Sequence, residues 1–178
     1  LNALIAARHN SGLDANPNAV FLISEDAHSS FVKFPRIMGI REENLIKVKT
    51  DIKGSMDLTD LKKIINQCSR QNKKIFSIVA TLGTTIRGAI DPIKAIGDIC
   101  KNNKIWLHID GSIGGIYGIT NISIDGLNNL NYANSITINP QKILGITKTS
   151  SILLVSNSNS LKKAFKTGIP YISSNEGV

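Results

Sequence analysis

The sequence predicts an α/β domain, in which a mainly parallel sheet is flanked by helices. Short apolar segments that suit buried strands alternate with amphipathic segments of helical spacing along the 178 residues. Strands that alternate with helical segments of about ten to fifteen residues are typical of crossover units, and therefore of parallel sheets covered on both faces. In addition, polar residues directly follow several of the apolar segments. Open α/β sheets bind their ligands at that position, beyond the carboxyl ends of the strands.

The first half of the chain predicts three strands with helices between them. Residues 1–8 have a helical pattern, and residues 20–24 (VFLIS) read as the first buried strand. A helix is expected over 28–39, although Pro35 favours a kink or an early end because proline has no backbone N–H. The remaining elements of this half are a strand over 45–49, a helix over 56–71 and a strand over 75–81.

Two helices carry clear boundary signals. The helix over 56–71 has apolar residues at helical spacing, and Asp57 or Thr59 is able to cap its first turn. For the helix over 91–103, Asp91 is the expected N-cap and Pro92 the expected first residue. The later elements are strands over 105–110, 134–138 and 150–156, a loop over 128–134, a helix over 158–166, and a tail over 168–178 without a clear element.

Composition and charge exclude several classes of protein. A hydrophobic share of 42% with 19% charged residues is typical of a globular domain, and no apolar run approaches the roughly 20 residues that cross a bilayer. The net charge of +8 comes from scattered lysines without the aromatic interleaving of a nucleic-acid module. We therefore expect no membrane and no nucleic-acid partner. Cys68 and Cys100 are expected to be ordinary thiols of a cytoplasmic protein.

Polar side chains follow four of the predicted strands. His28 comes after the first strand, Thr84 and Thr85 after the third, Asp110 at the end of the fourth, and Lys142 after the fifth. Taken singly, each has an ordinary structural explanation as a helix cap, a turn residue or a surface lysine. Because parallel strands end at the same edge of a sheet, we expect His28, Thr85, Asp110 and Lys142 to converge there.

The residue types at this edge narrow the chemistry. There is no second histidine or carboxylate at ligand spacing, so a metal site is not expected. The GxSxG, GxxxxGK[ST] and GxGxxG motifs are absent, which argues against a serine hydrolase of that kind and against those phosphate-binding loops. A lysine paired with a buried acid suits pyridoxal 5'-phosphate, because the lysine forms a Schiff base and the acid partners the pyridinium nitrogen. A carboxylate at the end of an apolar strand requires such a partner. His108, on the same strand face, is expected to orient Asp110.

Four segments in order resemble the pyridoxal-phosphate-dependent group II amino-acid decarboxylases. These segments are AHSS (27–30), ATLGTTIRGAIDP (80–92), WLHIDGSIGG (106–115) and NPQK (139–142). The resemblance covers nearly the whole chain and implies the large domain of a fold type I enzyme. It suggests the Schiff-base lysine in Lys142, the partner of the pyridine nitrogen in Asp110, and the imidazole stacked on the ring in His28. By position it also implies cofactor contacts from Thr85, Ser112, Asn139 and Gln141.

The sequence departs from the family pattern at three places. Gln141 stands where the family usually has a histidine associated with the cofactor phosphate, so a hydrogen bond is retained without a titratable charge. The family's DAA is here Asp110-Gly111-Ser112. The segments expected for phosphate binding, before Leu1, and for a C-terminal small domain are absent. We therefore expect residues 1–178 to be the central part of a pyridoxal-phosphate-binding large domain.

The activity implied by the resemblance is decarboxylation of an L-amino acid to its amine and carbon dioxide through a Schiff base at Lys142. The resemblance further implies a homodimer with a small-molecule amino-acid substrate. The AHSS and ATLGTT segments slightly favour the aromatic or histidine branch. Two alternatives remain open: another fold type I lyase or transaminase, and a degenerate paralogue without catalysis, which Gly111 and Gln141 favour.

Overall fold

The computed structural model describes residues 1–120, 129–147 and 150–166. In these ranges the chain forms one six-stranded sheet in the order β2-β1-β3-β4-β5-β6. All neighbouring strands are parallel except β5 and β6, which are antiparallel. The strands are β1 (Ala19–Ser24), β2 (Leu45–Val48), β3 (Lys74–Thr81), β4 (Trp106–Asp110), β5 (Ser135–Ile138) and β6 (Ile152–Val155). The predicted α/β class with a mainly parallel sheet is confirmed.

Helices cover both faces of this sheet. The α-helices are α1 (Asn2–Asn10), α2 (Phe34–Ile37), α3 (Leu58–Arg70), α4 (Ile93–Asn103), α5 (Pro140–Ile143) and α6 (Ser158–Phe165). Short 3-10 helices lie at Ser29–Lys33, Glu42–Asn44, Gly114–Ile119 and Leu130–Tyr132. None of the helices in the described ranges is long and apolar enough to span a membrane.

The two faces of the sheet carry separate apolar cores. One core packs α3 and α4 against the sheet, and the other packs α1 against the opposite face. Alternate residues of a strand point to opposite faces. Leu107 and Ile109 of β4 therefore belong to the α3–α4 core, whereas Trp106 packs against the α1 core. His108 and Asp110 share the face of Trp106, and this register places them beside α1.

The structure changes the predicted helix over 28–39. The segment forms the 3-10 helix Ser29–Lys33 followed by the short α2, so Pro35 lies in the first turn of a new helix. That position is favourable for proline because its missing N–H has no helical partner there. The cap of α3 is confirmed as Asp57, whose side chain accepts hydrogen bonds from the backbone N–H groups of Thr59 and Asp60 at 2.7 and 3.2 Å. The tail over 168–178 lies outside the described residues.

Asp91 is not the N-cap of α4, contrary to the prediction. Pro92 holds that position, and the Asp91 carboxylate is buried instead. Its two oxygens accept hydrogen bonds from the backbone N–H groups of Met56 and Thr81, each at 2.7 Å. Asp91 therefore joins the loop before α3 to the end of β3. Burial raises its pKa from 3.8 to about 6, against the opposing effect of the two hydrogen bonds.

This raised pKa predicts how stability depends on pH. Between about pH 6 and pH 4 the folded protein binds a proton at Asp91 that the unfolded chain does not. Asp91 therefore adds stability as the pH falls through this window, on the order of 2–3 kcal/mol at most. Asp91→Asn removes the titration. The free energy of unfolding of the wild type relative to Asp91→Asn, measured by urea denaturation, is expected to rise as the pH falls from 7 to 4.

Asp98 provides the matched control, because its carboxylate lies on the surface of α4, where it pairs with Lys94 at 3.0 Å. Relative to Asp98→Asn, the wild type is expected to show no comparable rise. A wild-type advantage over Asp91→Asn that stays constant or shrinks with falling pH would contradict this account of Asp91.

Candidate active site

A cavity of about 210 Å³ lies at the carboxyl edge of β4 and β5. Its walls come from the end of β4, the end of β5, the segment after β1 and the start of α1. The polar residues that line it include His28, His108, Asp110, Thr137, Asn139 and Lys142. Of the four residues expected to converge, His28, Asp110 and Lys142 line this cavity and Thr85 does not.

Asp110 is the last residue of β4, and the residue is 9% exposed. Oδ1 accepts two hydrogen bonds from Ser112, one from the hydroxyl at 2.5 Å and one from the backbone N–H at 3.1 Å. Among the described residues, no hydrogen bond is made to Oδ2. One oxygen of the carboxylate is thus held by the following turn, while the side chain faces the cavity.

Glycines bring this turn close to the neighbouring strands. A Cβ on Gly111 would lie 2.9 Å from the Cα of Gly115, and one on Gly114 would lie 2.7 Å from the carbonyl oxygen of Leu82. Contacts this short are not tolerated, so the backbone would have to move. The glycine at 111, a departure from the family pattern, allows the turn around Asp110 to close onto the 3-10 helix that follows.

His108 lies one layer below Asp110 and is buried. Its Nδ1 is 2.8 Å from the Ser135 hydroxyl and its Nε2 is 3.4 Å from the Thr137 hydroxyl, both on β5. The expectation that His108 orients Asp110 is not supported by these contacts, because its hydrogen bonds go to β5 and Ser112 holds the carboxylate. Burial lowers the pKa of His108 to about 4, although the nearby Asp110 carboxylate acts in the opposite direction.

His28 enters the cavity from the segment that follows β1. Its Nδ1 accepts the backbone N–H of Ser30 at 3.2 Å and lies 2.9 Å from the Ser30 hydroxyl, so His28 caps the 3-10 helix Ser29–Lys33. With Nδ1 engaged as an acceptor, a neutral imidazole carries its proton on Nε2. The side chain is exposed at the cavity mouth, and Nε2 is the nitrogen left to meet a ligand.

Two of the three predicted residues after β5, Asn139 and Lys142, line the cavity. Lys142 lies in α5 with an exposed side chain, and the turn is closed by its backbone N–H, which donates to the Asn139 carbonyl at 3.0 Å. The Oδ1 of Asn139 is buried without a hydrogen-bond partner among the described residues. Gln141 does not line the cavity, and its Oε1 accepts a hydrogen bond from the Ser150 hydroxyl at 3.4 Å.

Thr85 is not brought to the cavity. It is exposed on the turn after β3 and is absent from the cavity lining. Its neighbour Thr84 is buried, and the Thr84 hydroxyl oxygen accepts a hydrogen bond from the backbone N–H of Ala89 at 3.0 Å. Thr84 therefore stabilises the turn after β3. The role of Thr85 beside a cofactor stays a prediction.

Sequence reasoning missed Thr137 as a lining residue of the site. Thr137 pairs in register with Asp110 across β4 and β5, so the two side chains share a face. The alternation of the strand SITI, with Ser135 and Thr137 on one face, was the available signal. Within the described ranges, no group of three or more His, Cys, Asp or Glu side chains is placed to hold a metal ion.

A larger cavity, of about 610 Å³, lies at the opposite end of β4, near Trp106. Its two lysines, Lys101 and Lys104, are exposed, and its lining includes no acidic residue. We place the functional site in the smaller cavity because it combines a buried carboxylate, two imidazoles and a lysine.

Comparison with known proteins identifies a family. Residues 5–178 match the family described as "Pyridoxal-dependent decarboxylase conserved domain". The chain is 34% identical over 163 residues to the human acidic amino acid decarboxylase GADL1, which covers 90% of this chain and 31% of the human protein. It is 32% identical over 162 residues to rat cysteine sulfinic acid decarboxylase, covering 90% of this chain and 33% of the rat protein.

Solved structures agree with this assignment. The crystal structure of mouse CSAD superposes with a TM-score of 0.87 at 30% sequence identity, covering 93% of this chain and 37% of the mouse chain. The tryptophan decarboxylase of Catharanthus roseus superposes with a TM-score of 0.85 at 23% identity, which supports the fold alone. This chain thus spans about a third of the length of the curated relatives it matches.

The contact between Ser112 and Asp110 generates a prediction. Ser112→Ala removes the hydroxyl donor to Oδ1 and leaves the backbone N–H as the remaining contact from the turn. A hydrogen bond to a charged group contributes about 1.5–3 kcal/mol. The affinity for pyridoxal phosphate, measured by absorbance titration, is therefore expected to fall about tenfold.

Ser156 is a suitable control, since it is exposed beyond β6 and donates to the Asn134 carbonyl at 3.3 Å. Ser156→Ala is expected to keep wild-type affinity. Equal affinities in the two variants would show that Ser112 does not hold Asp110 for the ligand.

Proposed function

The chain belongs to the pyridoxal-dependent decarboxylase family, and on that premise we propose that its protein removes the α-carboxylate of an amino acid with pyridoxal 5'-phosphate bound in the cavity. One observation carries the proposal. Asp110, His28 and Lys142 come from three separate segments and line the same cavity. A primary amine for the Schiff base and an acid for the pyridinium nitrogen are the groups that hold this cofactor, and the imidazole lies beside them.

The residues present fit such a ligand. The Asp110 carboxylate is buried at a strand end without a cationic partner among its hydrogen bonds, and a buried charge of this kind is costly unless something pairs with it. Asn139 offers a second buried acceptor, Oδ1, which has no hydrogen-bond partner in the described part of the chain. Buried polar atoms are normally hydrogen-bonded, so both groups favour a polar ligand with donors of its own.

Each residue has a definite task in this proposal. Asp110 would accept the hydrogen bond of the pyridine nitrogen, and Lys142 would hold the cofactor through Nζ. When bound, the cofactor supplies an electron sink for the bond to the departing carboxylate. His28 presents Nε2 at the cavity mouth, where it is placed to hold or move a proton at the substrate. Phe31 and Phe34 line the same cavity with apolar surface, which limits the access of water.

The extent of the chain is part of the proposal. We infer that residues 1–178 are the central part of the cofactor-binding large domain, since the curated relatives are about three times longer. A homodimer in the cytoplasm is likewise proposed from the family resemblance.

The substrate class proposed is an acidic amino acid. Two curated relatives above 30% identity, from human and rat, are named as decarboxylases of acidic amino acids and of cysteine sulfinic acid. The AHSS and ATLGTT segments of this sequence slightly favour an aromatic amino acid or histidine instead. The names of relatives that match 90% of the chain support an acidic substrate more strongly than these two short segments support an aromatic one. A panel of substrates decides between the two classes.

Trapping of the cofactor tests the role of Lys142. The longest form of the protein that can be expressed is incubated with pyridoxal phosphate, reduced with borohydride and digested for mass spectrometry. The label is expected on the peptide that contains Lys142, because reduction fixes the bond between the cofactor and Nζ.

Two variants sharpen the trapping experiment. Lys142→Ala is expected to lose the label, whereas Lys62→Ala, which removes an exposed lysine of α3, is expected to keep it. A folded wild-type protein without label would overturn the proposal and favour a degenerate paralogue that kept the fold.

Product analysis tests the reaction and its substrate. With glutamate, aspartate, cysteine sulfinate, histidine and an aromatic amino acid offered separately, we expect carbon dioxide and an amine from the acidic group. A keto acid in place of carbon dioxide would instead identify a transaminase. Turnover confined to the aromatic amino acid or histidine would contradict the proposed substrate class while leaving the decarboxylation intact.

A further inference from the structure

We propose that His108 is a neutral positioning residue, locked as the Nε2–H tautomer by Ser135, and that it takes no part in proton transfer. The proposal rests on the proposed function insofar as it treats the cavity as the cofactor site. It divides the work between the two imidazoles of the cavity: His28 exchanges protons and His108 donates a fixed hydrogen bond.

Trp106 determines which groups donate and which accept in the hydrogen bonds around His108. The indole nitrogen carries a donor only, and it lies 2.8 Å from the Ser135 hydroxyl oxygen, so Trp106 donates and Ser135 accepts. Ser135 is 1% exposed, and its own hydroxyl proton therefore needs an acceptor inside the protein. The Nδ1 of His108, at 2.8 Å, is that acceptor.

The proton of His108 then lies on the other nitrogen. A neutral imidazole that accepts at Nδ1 donates from Nε2. Nε2 lies 3.4 Å from the Thr137 hydroxyl, which can accept this hydrogen bond. The chain of donors thus runs from Trp106 through Ser135 and His108 to Thr137, which lines the cavity.

The Nδ1–H tautomer of His108 is unfavourable because it leaves the Ser135 hydroxyl without an acceptor. With a proton on Nδ1, His108 would donate to Ser135, and the buried Ser135 hydroxyl would have no side-chain acceptor among the described residues. A buried donor left unsatisfied is costly. In the proposed arrangement the hydroxyl left without an acceptor is that of Thr137, which is only partly buried and meets the ligand cavity. The Thr137 hydroxyl is thereby free to donate to a ligand beside Asp110.

The surroundings favour the neutral ring. The titratable side chains that face His108 in the described ranges are Asp110 on its own strand and His28 and Lys142 across the cavity. Among these side chains Asp110 favours a charged imidazole, although its Oδ1 already accepts hydrogen bonds from Ser112. A hydrogen bond with the Ser135 backbone acts in the same direction, but burial outweighs both and keeps the pKa of His108 near 4.

The experiment is nuclear magnetic resonance of ring-15N-histidine in the longest expressible form of the protein. The signals of His108 are identified by their loss in His108→Gln. We expect the shift of an unprotonated nitrogen at Nδ1 and of a protonated one at Nε2, both constant between pH 5.5 and pH 8. A proton on Nδ1, or a titration within this range, would overturn the proposal. Neither cofactor nor substrate is needed, so this result is independent of whether the decarboxylase proposal holds.

Two serine variants test whether Ser135 fixes the tautomer of His108. Ser135→Ala removes the donor to Nδ1 and is expected to shift the ring signals towards a mixture of tautomers. Ser77→Ala removes a hydroxyl that is equally buried on β3 but has no hydrogen-bond partner in the described part of the chain, and it is expected to leave the signals unchanged. A response of the same size in both variants would contradict the role of Ser135.

Cofactor affinity separates a donor from a mere space-filling side chain. His108→Leu is expected to weaken binding of pyridoxal phosphate about tenfold, since it removes the donor to Thr137. His108→Gln keeps an amide donor and is expected to restore affinity to within about threefold of wild type. Equal losses in both variants would contradict the donor role.

Discussion

The site depends on a carboxylate held at the end of an apolar strand. β4 carries Leu107 and Ile109 into the core, and this anchors Asp110 at the carboxyl edge of the sheet with 9% exposure. A charge in that position is costly without partners. Ser112 satisfies one oxygen from the following turn, and the cavity leaves the side chain accessible to a ligand. The rest of the site is arranged around this unsatisfied charge.

The pairing of β4 with β5 positions the other residues around Asp110. In a parallel pair, residues in register share a face, so His108 meets Ser135 and Asp110 meets Thr137. Lys142 follows only four residues after the end of β5, and α5 therefore carries its amine to the same edge (142 − 138 = 4). The geometry of two neighbouring strands thus brings together the acid, the lysine and the buried imidazole without a long loop.

Strand and helix positions followed from the sequence because apolar alternation is local. The partners of buried polar groups did not, because they depend on contacts between distant segments. Asp91 precedes a proline and has the pattern of a helix cap, yet its carboxylate binds Met56, 35 residues away. Likewise, nothing near His108 in the sequence indicates that its partner is Ser135 on β5, 27 residues later. The sequence pattern also does not predict that β6 is antiparallel to β5, because the direction of a strand depends on how the chain returns to the sheet.

The most direct test of this account is the protonation state of the pyridine nitrogen beside Asp110. Pyridoxal phosphate enriched in 15N at the ring nitrogen is bound to the wild type and to Asp110→Asn, and the nitrogen shift is recorded at neutral pH. The account predicts a protonated nitrogen in the wild type and an unprotonated one in Asp110→Asn, because a carboxylate favours the charged ring and an amide does not. An unprotonated nitrogen in the wild type would contradict the pairing of Asp110 with the cofactor.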